Sequence, residues 1–341
     1  MENRPSVIGI LETGFGFWRS KVLLSAVELR LFTALGERGL RGEQIQSALD
    51  LHPRAVWDFL DALVAMGFLE RDGAGRTALY RNTPETAEFL DRAKPGYIGG
   101  ILEMLNARLF LYWNDLTCGL KTGQPQNEIK HNKKPMFEEL YSKPDRLDQF
   151  MRAMRGLSLP NFRAFVEQFD FSIYKTMCDV GGATGLLCSL TAKRHPHMQC
   201  ITFDLPEVAP IAGKWLTEED LLDRVDIISG DFFKDPLPKA DIITMGLILH
   251  DWNLEKKKHL ISLAYQALPA GGAFVAIENL IDDERRKNTF GLLMSLNMLI
   301  EFGEAFDFTG SDFVGWCKEA GFKRFEILHL GGSCSAAVAY K

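Results

Sequence analysis

The chain has little that would tie it to a membrane, a polyanion or an oxidising compartment. No apolar run in its 341 residues reaches the length of a membrane span, and no charged segment followed by an apolar core opens it. Basic residues are in deficit, 39 Lys and Arg against 45 Asp and Glu, for a net charge of −6. Nucleic acids and anionic membrane surfaces attract the opposite balance. Cysteine is sparse: Cys118, Cys178, Cys188, Cys200, Cys317 and Cys334 form no C-x-x-C pair. Small core residues in a reducing cytosol are therefore expected, not disulfides. A cytoplasmic protein without nucleic-acid or membrane partners is the expectation. What the chain does have is 46% hydrophobic residues, enough for a large core and more than one domain.

The first hundred residues read as helices. "GFWRSKVLLSAVELRLFTAL" carries apolar residues at three- and four-residue steps and predicts one helix of about five turns. "RGEQIQSALDLHPRAVWDFLDALVAMGFLERDG" predicts two short amphipathic helices, and "GFLERDG" with "TALYRNT" a hairpin. That order is a winged helix-turn-helix, which raises a DNA-binding regulator as an alternative. The reader helix, Pro53 to Met66, would offer Asp58 and Asp61 with only Arg54 on the basic side, the wrong chemistry for a DNA groove. Packing or dimerisation is the better use. Residues 95–170 stay helical, and "RLDQFMRAMRGLSLPNFRAFVEQF" predicts a pair of helices.

From residue 176 short β-rich runs alternate with helical segments: "TMCDVGG", "QCITFDLP", "VDIISGD", "ADIITMGLIL", "GGAFVAIENL". This predicts an α/β fold, a mostly parallel Rossmann-like sheet with helices on both faces. "RFEILHLGG" and "SCSAAVAYK", joined by a glycine turn, add an antiparallel C-terminal hairpin.

"CDVGGATG", residues 178–185, follows the first of these strands, where a glycine turn lets a ligand approach backbone amides. The second strand ends in Asp204, a carboxylate placed for a ribose diol. A nicotinamide dehydrogenase would share these features, but G-x-G-x-x-G cannot be laid on Gly181-x-Ala183-x-Gly185. The third strand ends in "SGDFF", adding Asp231 beside an aromatic, and no nearby Arg offers to hold a phosphate. An adenosine without pyrophosphate fits better, and S-adenosylmethionine is the cofactor expected. The fourth run, "GLILHDWN", delivers His250, Asp251 and Trp252 to the carboxyl edge of the sheet, where open α/β folds bind ligands. Asp251 reads as a cap for the helix beginning near Asn253, pointing away from His250. His259 reads as a surface residue, and His195, His197 and His329 lack ligand spacing, so no metal is expected.

"MCDVGGATG", "TFDLPEV", "GDFFKDPLPKAD", "LHDW", "AIENL" and "SLNML", in this order, together with "MFEELYSKPDRLDQFMRAM" upstream, are the residues of a known family. The chain resembles the S-adenosylmethionine-dependent small-molecule O-methyltransferases of the caffeic-acid and acetylserotonin (hydroxyindole) type, over nearly its whole length. The resemblance implies an N-terminal winged-helix dimerisation domain (1–100), a helical linker lining the acceptor pocket (101–170) and a catalytic domain (171–341). It implies a homodimer through the N-terminal helices and methylation of a hydroxyl on a small aromatic acceptor. His250 would be the general base, Glu278 would orient it, and Asp307 would be a second acidic partner where relatives carry a glutamate. Asp204 would hold the ribose, with Tyr141, Gly181, Leu205, Gly230, Asp231, Phe232 and Trp252 completing the cofactor site. Asn297 would line the acceptor pocket, with Met154, Met294 and Met298, and with Phe110 and Phe150, supplying apolar walls. Three departures matter. Ala183 replaces a glycine, which requires a negative φ there. Gly246 and Leu247 occupy a region where a basic residue is usual, removing contacts to the cofactor. Glu301 stands where an acetylserotonin enzyme would carry glutamine, which points away from an acetylindole acceptor. A cofactor-binding protein that does other chemistry is the alternative from a second class.

Overall fold

The computed structural model describes residues 6–131, 140–141 and 143–341. It divides into two compact units, Met1–Leu111 and Tyr112–Lys341.

In the first unit, helices α1 (Ile8–Gly14), α2 (Gly16–Glu28) and α3 (Leu31–Leu35) lead into strand β1 (Leu40–Arg41). Helices α4 (Gly42–Ala48) and α5 (Val56–Ala65), strands β2 (Leu69–Asp72) and β3 (Leu79–Asn82), and helices α6 (Pro84–Phe89) and α7 (Gly99–Met104) follow. The three strands pair in the order β1-β3-β2, all antiparallel, which completes the winged-helix pattern. The single five-turn helix expected over residues 16–35 is broken. Arg30 adopts φ +58, and its turn lets Leu31, Phe32 and Leu35 join Ala26, Val27 and Leu60 in one buried cluster. The acids of α5 are used internally: Asp61 accepts from the Tyr80 hydroxyl and from Arg71, both at 2.8 Å, while Asp58 pairs with Arg54. Ile8, Ile10 and Leu11 on α1, Phe17 and Trp18 on α2, and Phe15 between them are exposed.

In the second unit the sheet runs β4 (Thr176–Val180), β5 (Gln199–Asp204), β6 (Val225–Ser229), β7 (Ile242–Gly246), β8 (Ala273–Glu278), β9 (Arg324–Gly331) and β10 (Cys334–Tyr340). Its spatial order is β6-β5-β4-β7-β8-β10-β9. Strands β4 to β8 are parallel; β10 is antiparallel to both β8 and β9, as the glycine turn requires. The chain moves outward from β4 in one direction, then returns to lay β7 on its other side. The carboxyl ends of β4 and β7 thus flank the crevice where such sheets take ligands.

Alternation along the strands feeds two cores. Met177, Ile242, Val275 and Val338 face one buried cluster; Cys178, Ile243, Phe274 and Ala337 face the other. A period of two with both faces buried is the signature of a covered parallel sheet. The helices are α8 (Leu116–Thr122), α9 (Pro144–Gln168), α10 (Leu186–Arg194), α11 (Ala209–Glu218), α12 (Leu254–Ala267), α13 (Thr289–Phe302) and α14 (Gly310–Ala320). The helix pair expected over 146–169 is one continuous helix, α9, with Pro160 inside it. An interior proline costs about 3 kcal/mol. Beyond it Phe162, Phe165 and Val166 are buried, and full burial of each such side chain returns about 1.5–3 kcal/mol, so packing carries the helix through. No described helix is long and apolar enough to cross a membrane.

Candidate active site

The turn after β4 is built for close approach. Gly181 has φ +71, and a Cβ there would lie 2.3 Å from Ile248 Cδ1, so only glycine fits. Two residues on, Ala183 adopts φ +49. The negative φ expected of it is therefore not kept. Its N–H donates to Asp204 Oδ2 at 2.9 Å, and this bond holds the strained turn in place. Asp204 ends β5, and its other oxygen accepts from Leu205 N–H at 2.7 Å. Burial pushes the Asp204 carboxyl up to about 6 against those two hydrogen bonds. Each oxygen retains a lone pair for a further donor.

Asp231, after β6, is held differently. It accepts from Phe233 N–H at 2.9 Å and pairs with Lys234 at 2.7 Å, and the Lys234 ammonium keeps its carboxyl below the usual range. Gly230 lies against the Phe203 ring, with no room for a Cβ. Phe232 and Phe233 meet Trp252 edge to face, at centroid distances of 6.0 and 4.7 Å. Tyr141 packs with Phe150 and Ala183 around Leu147, Met151 and Val208. Burial, then the charges of Asp204 and Asp251, pushes its phenol up. Except for Trp252, the expected cofactor residues gather around the turns after β4, β5 and β6. Carboxylates at two strand ends, backbone glycine and an aromatic wall fit an adenosine with its ribose diol; no phosphate-binding cation is needed there.

Strand β7 ends at Gly246, earlier than the apolar run suggested. Gly246 is explained by packing, since a Cβ would lie 2.7 Å from the Phe162 ring. Leu247 then takes φ +55, and a 3-10 turn, Leu249–Asp251, presents His250. The imidazole is buried, with Nδ1 3.4 Å from Asp307 Oδ1 and Nε2 3.3 Å from Asp251 Oδ1. Asp251 therefore does not point away. The helix cap assigned to it belongs to Asn253, whose side chain accepts from Lys256 N–H at 3.1 Å. Glu278, the last residue of β8, accepts from the N–H groups of Ile248 at 3.2 Å and Leu249 at 2.9 Å. One carboxylate oxygen thus fixes the turn that carries His250. The other, Oε2, is buried without a hydrogen-bond partner among the described residues, as are both Asp307 oxygens and His250 Nδ1. Donor atoms of His250, Glu278 and Asp307 lie within 4.8 Å of one another.

Charge in this cluster is strongly redistributed. Burial alone would lower His250, but Asp251, Glu278 and Asp307 together push it up to about 10. Burial raises Glu278 to about 7 and Asp251 to about 6. Beneath the turn Lys257 is fully buried, and burial lowers its ammonium to about 8. Lys257 carries a signal that the sequence reading missed. It stands on the apolar stripe of α12 with Leu260, Ile261 and Ala264, where a charge has no business unless something anionic lies behind it.

Helix α13 packs against the His250 turn. Met294, Asn297 and Met298 share one helical face, with Met298 buried, and Glu301, one turn further, is buried too. Asn297 Oδ1 accepts from the Trp113 indole at 2.8 Å. Met154 is half-buried on α9. His195 and His197 bond the Val166 and Phe171 carbonyls at 3.0 and 3.1 Å, and His259 is exposed beside Phe233.

Residues 113–323 match the O-methyltransferase domain family, and residues 11–92 its dimerisation domain. The chain belongs to the S-adenosylmethionine-dependent O-methyltransferase family. Similar proteins include the tetracenomycin polyketide synthesis 8-O-methyl transferase TcmO of Streptomyces glaucescens, 37% identical over 97% of this chain and 96% of that one. The N,N-dimethyltransferase OxyT of Streptomyces rimosus is 33% identical, over 92% and 90%. The solved structure of human N-acetylserotonin methyltransferase in complex with S-adenosylmethionine matches with a TM-score of 0.91 at 28% identity, covering 100% of this chain and 99% of that one. As a member of the family, this methyltransferase carries the S-adenosylmethionine fold expected from its sequence.

Proposed function

We propose that this enzyme methylates a phenolic hydroxyl on a small aromatic or polycyclic acceptor, with His250 as general base. The observation that carries the reading is the buried imidazole held between Asp307 and Asp251, 3.4 and 3.3 Å away, at the carboxyl edge of the sheet beside the cofactor turns. Similarity to a polyketide O-methyltransferase over nearly the full length supports a polycyclic acceptor. The buried Glu301 in place of glutamine argues against the acetylindole of the hydroxyindole branch.

When bound, S-adenosylmethionine supplies an activated methyl group on a sulfonium. Asp204 would hold the ribose, Asp231 the adenine edge, and Tyr141, Gly181, Leu205, Gly230, Phe232 and Trp252 the rest of the cofactor. Met154, Met294, Asn297 and Met298 would wall the acceptor, and apolar walls suit a flat ring. With Asp307 beside Nδ1 and Asp251 beside Nε2, the imidazole would take the acceptor proton. Glu278 fixes the turn beneath it and, with Asp251 and Asp307, stabilises the imidazolium that forms. The carboxylates raise His250 to about 10, matching a phenol of ordinary pKa ~10, so the proton moves without a large uphill step. Alignment of the hydroxyl oxygen with the methyl group supplies ~7–11 kcal/mol in favourable cases.

The test is transfer of labelled methyl from S-adenosylmethionine to a panel of phenols, hydroxyindoles and hydroxyquinones. Incorporation into a hydroxyl is the expected result; incorporation only into amines would favour the N-methylation named for the relative OxyT. Binding without transfer to any acceptor would favour a cofactor-binding role. The exposed Leu11, Phe15, Phe17 and Trp18 on the segment that matches the dimerisation domain support a homodimer, which a monomeric mass in light scattering at micromolar concentration would refute.

A further inference from the structure

We propose that Lys257 is a positioning residue for methyl transfer: a buried counter-cation that opposes proton uptake by the carboxylates behind His250. The proposal deepens the proton-handling reading above and rests on it.

A cation at this place is opposed twice. Lys257 lies in the first turn of α12, at the positive end of the helix dipole, where cations are disfavoured. It is also fully buried, and an ammonium taken from water without compensation costs several kcal/mol. What compensates it is specific. Its Nζ donates to the carbonyl of Trp252, next to Asp251, and lies 3.9 Å from the centroid of the Phe306 ring and 5.8 Å from that of Phe308, the neighbours of Asp307. The ammonium is thus fastened to the backbone of one acidic segment and to the aromatic faces flanking the other. Glu278, Asp307 and Asp251 are the anions that favour its charged form, and Lys257 in turn favours ionised Asp251 and Glu278. The His250 imidazolium favours the same ionised carboxylates, but it is the group whose charge must change in turnover. Lys257 is the cation that stays when His250 is neutral, and without it the three carboxylates would then be an uncompensated buried anion.

The titratable groups around the cluster can be named element by element. The 3-10 turn gives His250 and Asp251, β8 gives Glu278, and the segment before α14 gives Asp307. Glu301 comes from α13 and bears on Asp251. Tyr141 faces Asp251 as a neutral phenol. Cys334 of β10 lies beside Glu278, a thiol pushed by burial up to about 12. Lys257, with His250 when it is protonated, supplies the countercharge to the carboxylates in this set.

The test reads the carboxylates directly by infrared titration of the full-length protein, following the C=O stretch of neutral carboxylic acid as pH falls. Glu278→Gln and Asp251→Asn assign the bands by their loss. In Lys257→Gln, which keeps a donor for the Trp252 carbonyl and removes the charge, those bands are expected to grow in about one pH unit higher than in the wild type, a tenfold gain in proton affinity. An unmoved band would overturn the proposal. Should Lys257→Gln fail to fold, the charge-balanced Lys257→Met/Asp251→Asn carries the test. Compensation predicts that it folds and that the Glu278 band returns to its wild-type pH; a pure packing role predicts that it fails as well. Failure of the base assignment would show separately, as normal turnover by His250→Ala, and would leave the infrared result standing.

Discussion

The carboxylates on the cofactor side and those on the His250 side look alike in the sequence and are opposite in the structure. Asp204 and Asp231 are satisfied: backbone N–H groups occupy the first at 2.9 and 2.7 Å, and Phe233 N–H with Lys234 the second. Around His250, one oxygen of Glu278 and both oxygens of Asp307 are buried with no hydrogen-bond partner among the described residues. A satisfied carboxylate is a fixed acceptor, ready for a diol and indifferent to a moving proton. An unsatisfied buried one costs free energy that folding would shed unless the group has another use. The difference separates a binding surface from a proton-handling one, and each experiment below should move one side and spare the other.

The largest effect is expected from His250→Ala. Loss of a positioned base should lower kcat by about 10²–10⁴-fold, while calorimetric affinity for S-adenosylhomocysteine stays within a few-fold of the wild type. Equal loss in both would mean that the cluster and the cofactor turns are one unit, and the contrast would collapse.

Asp204→Asn is the converse. It removes charge from the ribose acceptor, and hydrogen bonds to a charged group contribute ~1.5–3 kcal/mol, roughly 10- to 150-fold in cofactor Kd. Titration calorimetry should register that loss, with kcat at saturating cofactor changed far less. A fall in kcat with unaltered Kd would remove Asp204 from the binding side.

A smaller effect tests the charges on the imidazole. A base must be unprotonated to act, and His250 is raised to about 10, so kcat/KM of the wild type should climb with pH through the neutral range towards that value. Asp307→Asn removes one of three anions that favour the imidazolium. The rising limb should therefore move to lower pH, by about one unit. Movement to higher pH would reverse the sign of the argument; no movement would take Asp307 out of the cluster.

Much of this was legible before the structure. Alternating strand and helix texture gave the parallel sheet, the glycine turn at 331–333 gave the antiparallel edge, and the family resemblance singled out His250, Glu278 and Asp307, whose donor atoms lie within 4.8 Å of one another. What was not legible has local causes. Pairing Asp251 with His250 depends on the 3-10 turn, Leu249–Asp251, a change of direction that neighbouring residues in a strand would not make. The break at Arg30 and the continuity through Pro160 run against propensity, because burial of Leu31 and Phe32 in one case and Phe162 and Phe165 in the other outweighs it. Lys257 was readable from its place on an apolar stripe, but only to a reader asking why a charge interrupts it.

The smallest expected effect concerns backbone strain, which both sides share. Ala183 in the cofactor turn and Leu247 before His250 sit at φ +49 and +55, a region that costs a residue with Cβ about 1–2 kcal/mol. Such strain gathers at functional sites and persists where the surroundings over-determine it. On the cofactor side the surroundings are visible: the Ala183 N–H bond to Asp204 at 2.9 Å. Ala183→Gly should relieve the strain, offset by the extra freedom of glycine in the unfolded chain, about 0.4–1 kcal/mol. The net is a stabilisation of about 0–1.6 kcal/mol, at roughly 2–4 °C in melting temperature per kcal/mol for a unit of this size. Cofactor affinity should hold, because the N–H that Asp204 accepts is retained. A lower melting temperature would mean that the methyl of Ala183, packed near Leu147, Met151 and Val208, contributes more than the strain costs. The turn would then owe its shape to that cluster, and not to Asp204.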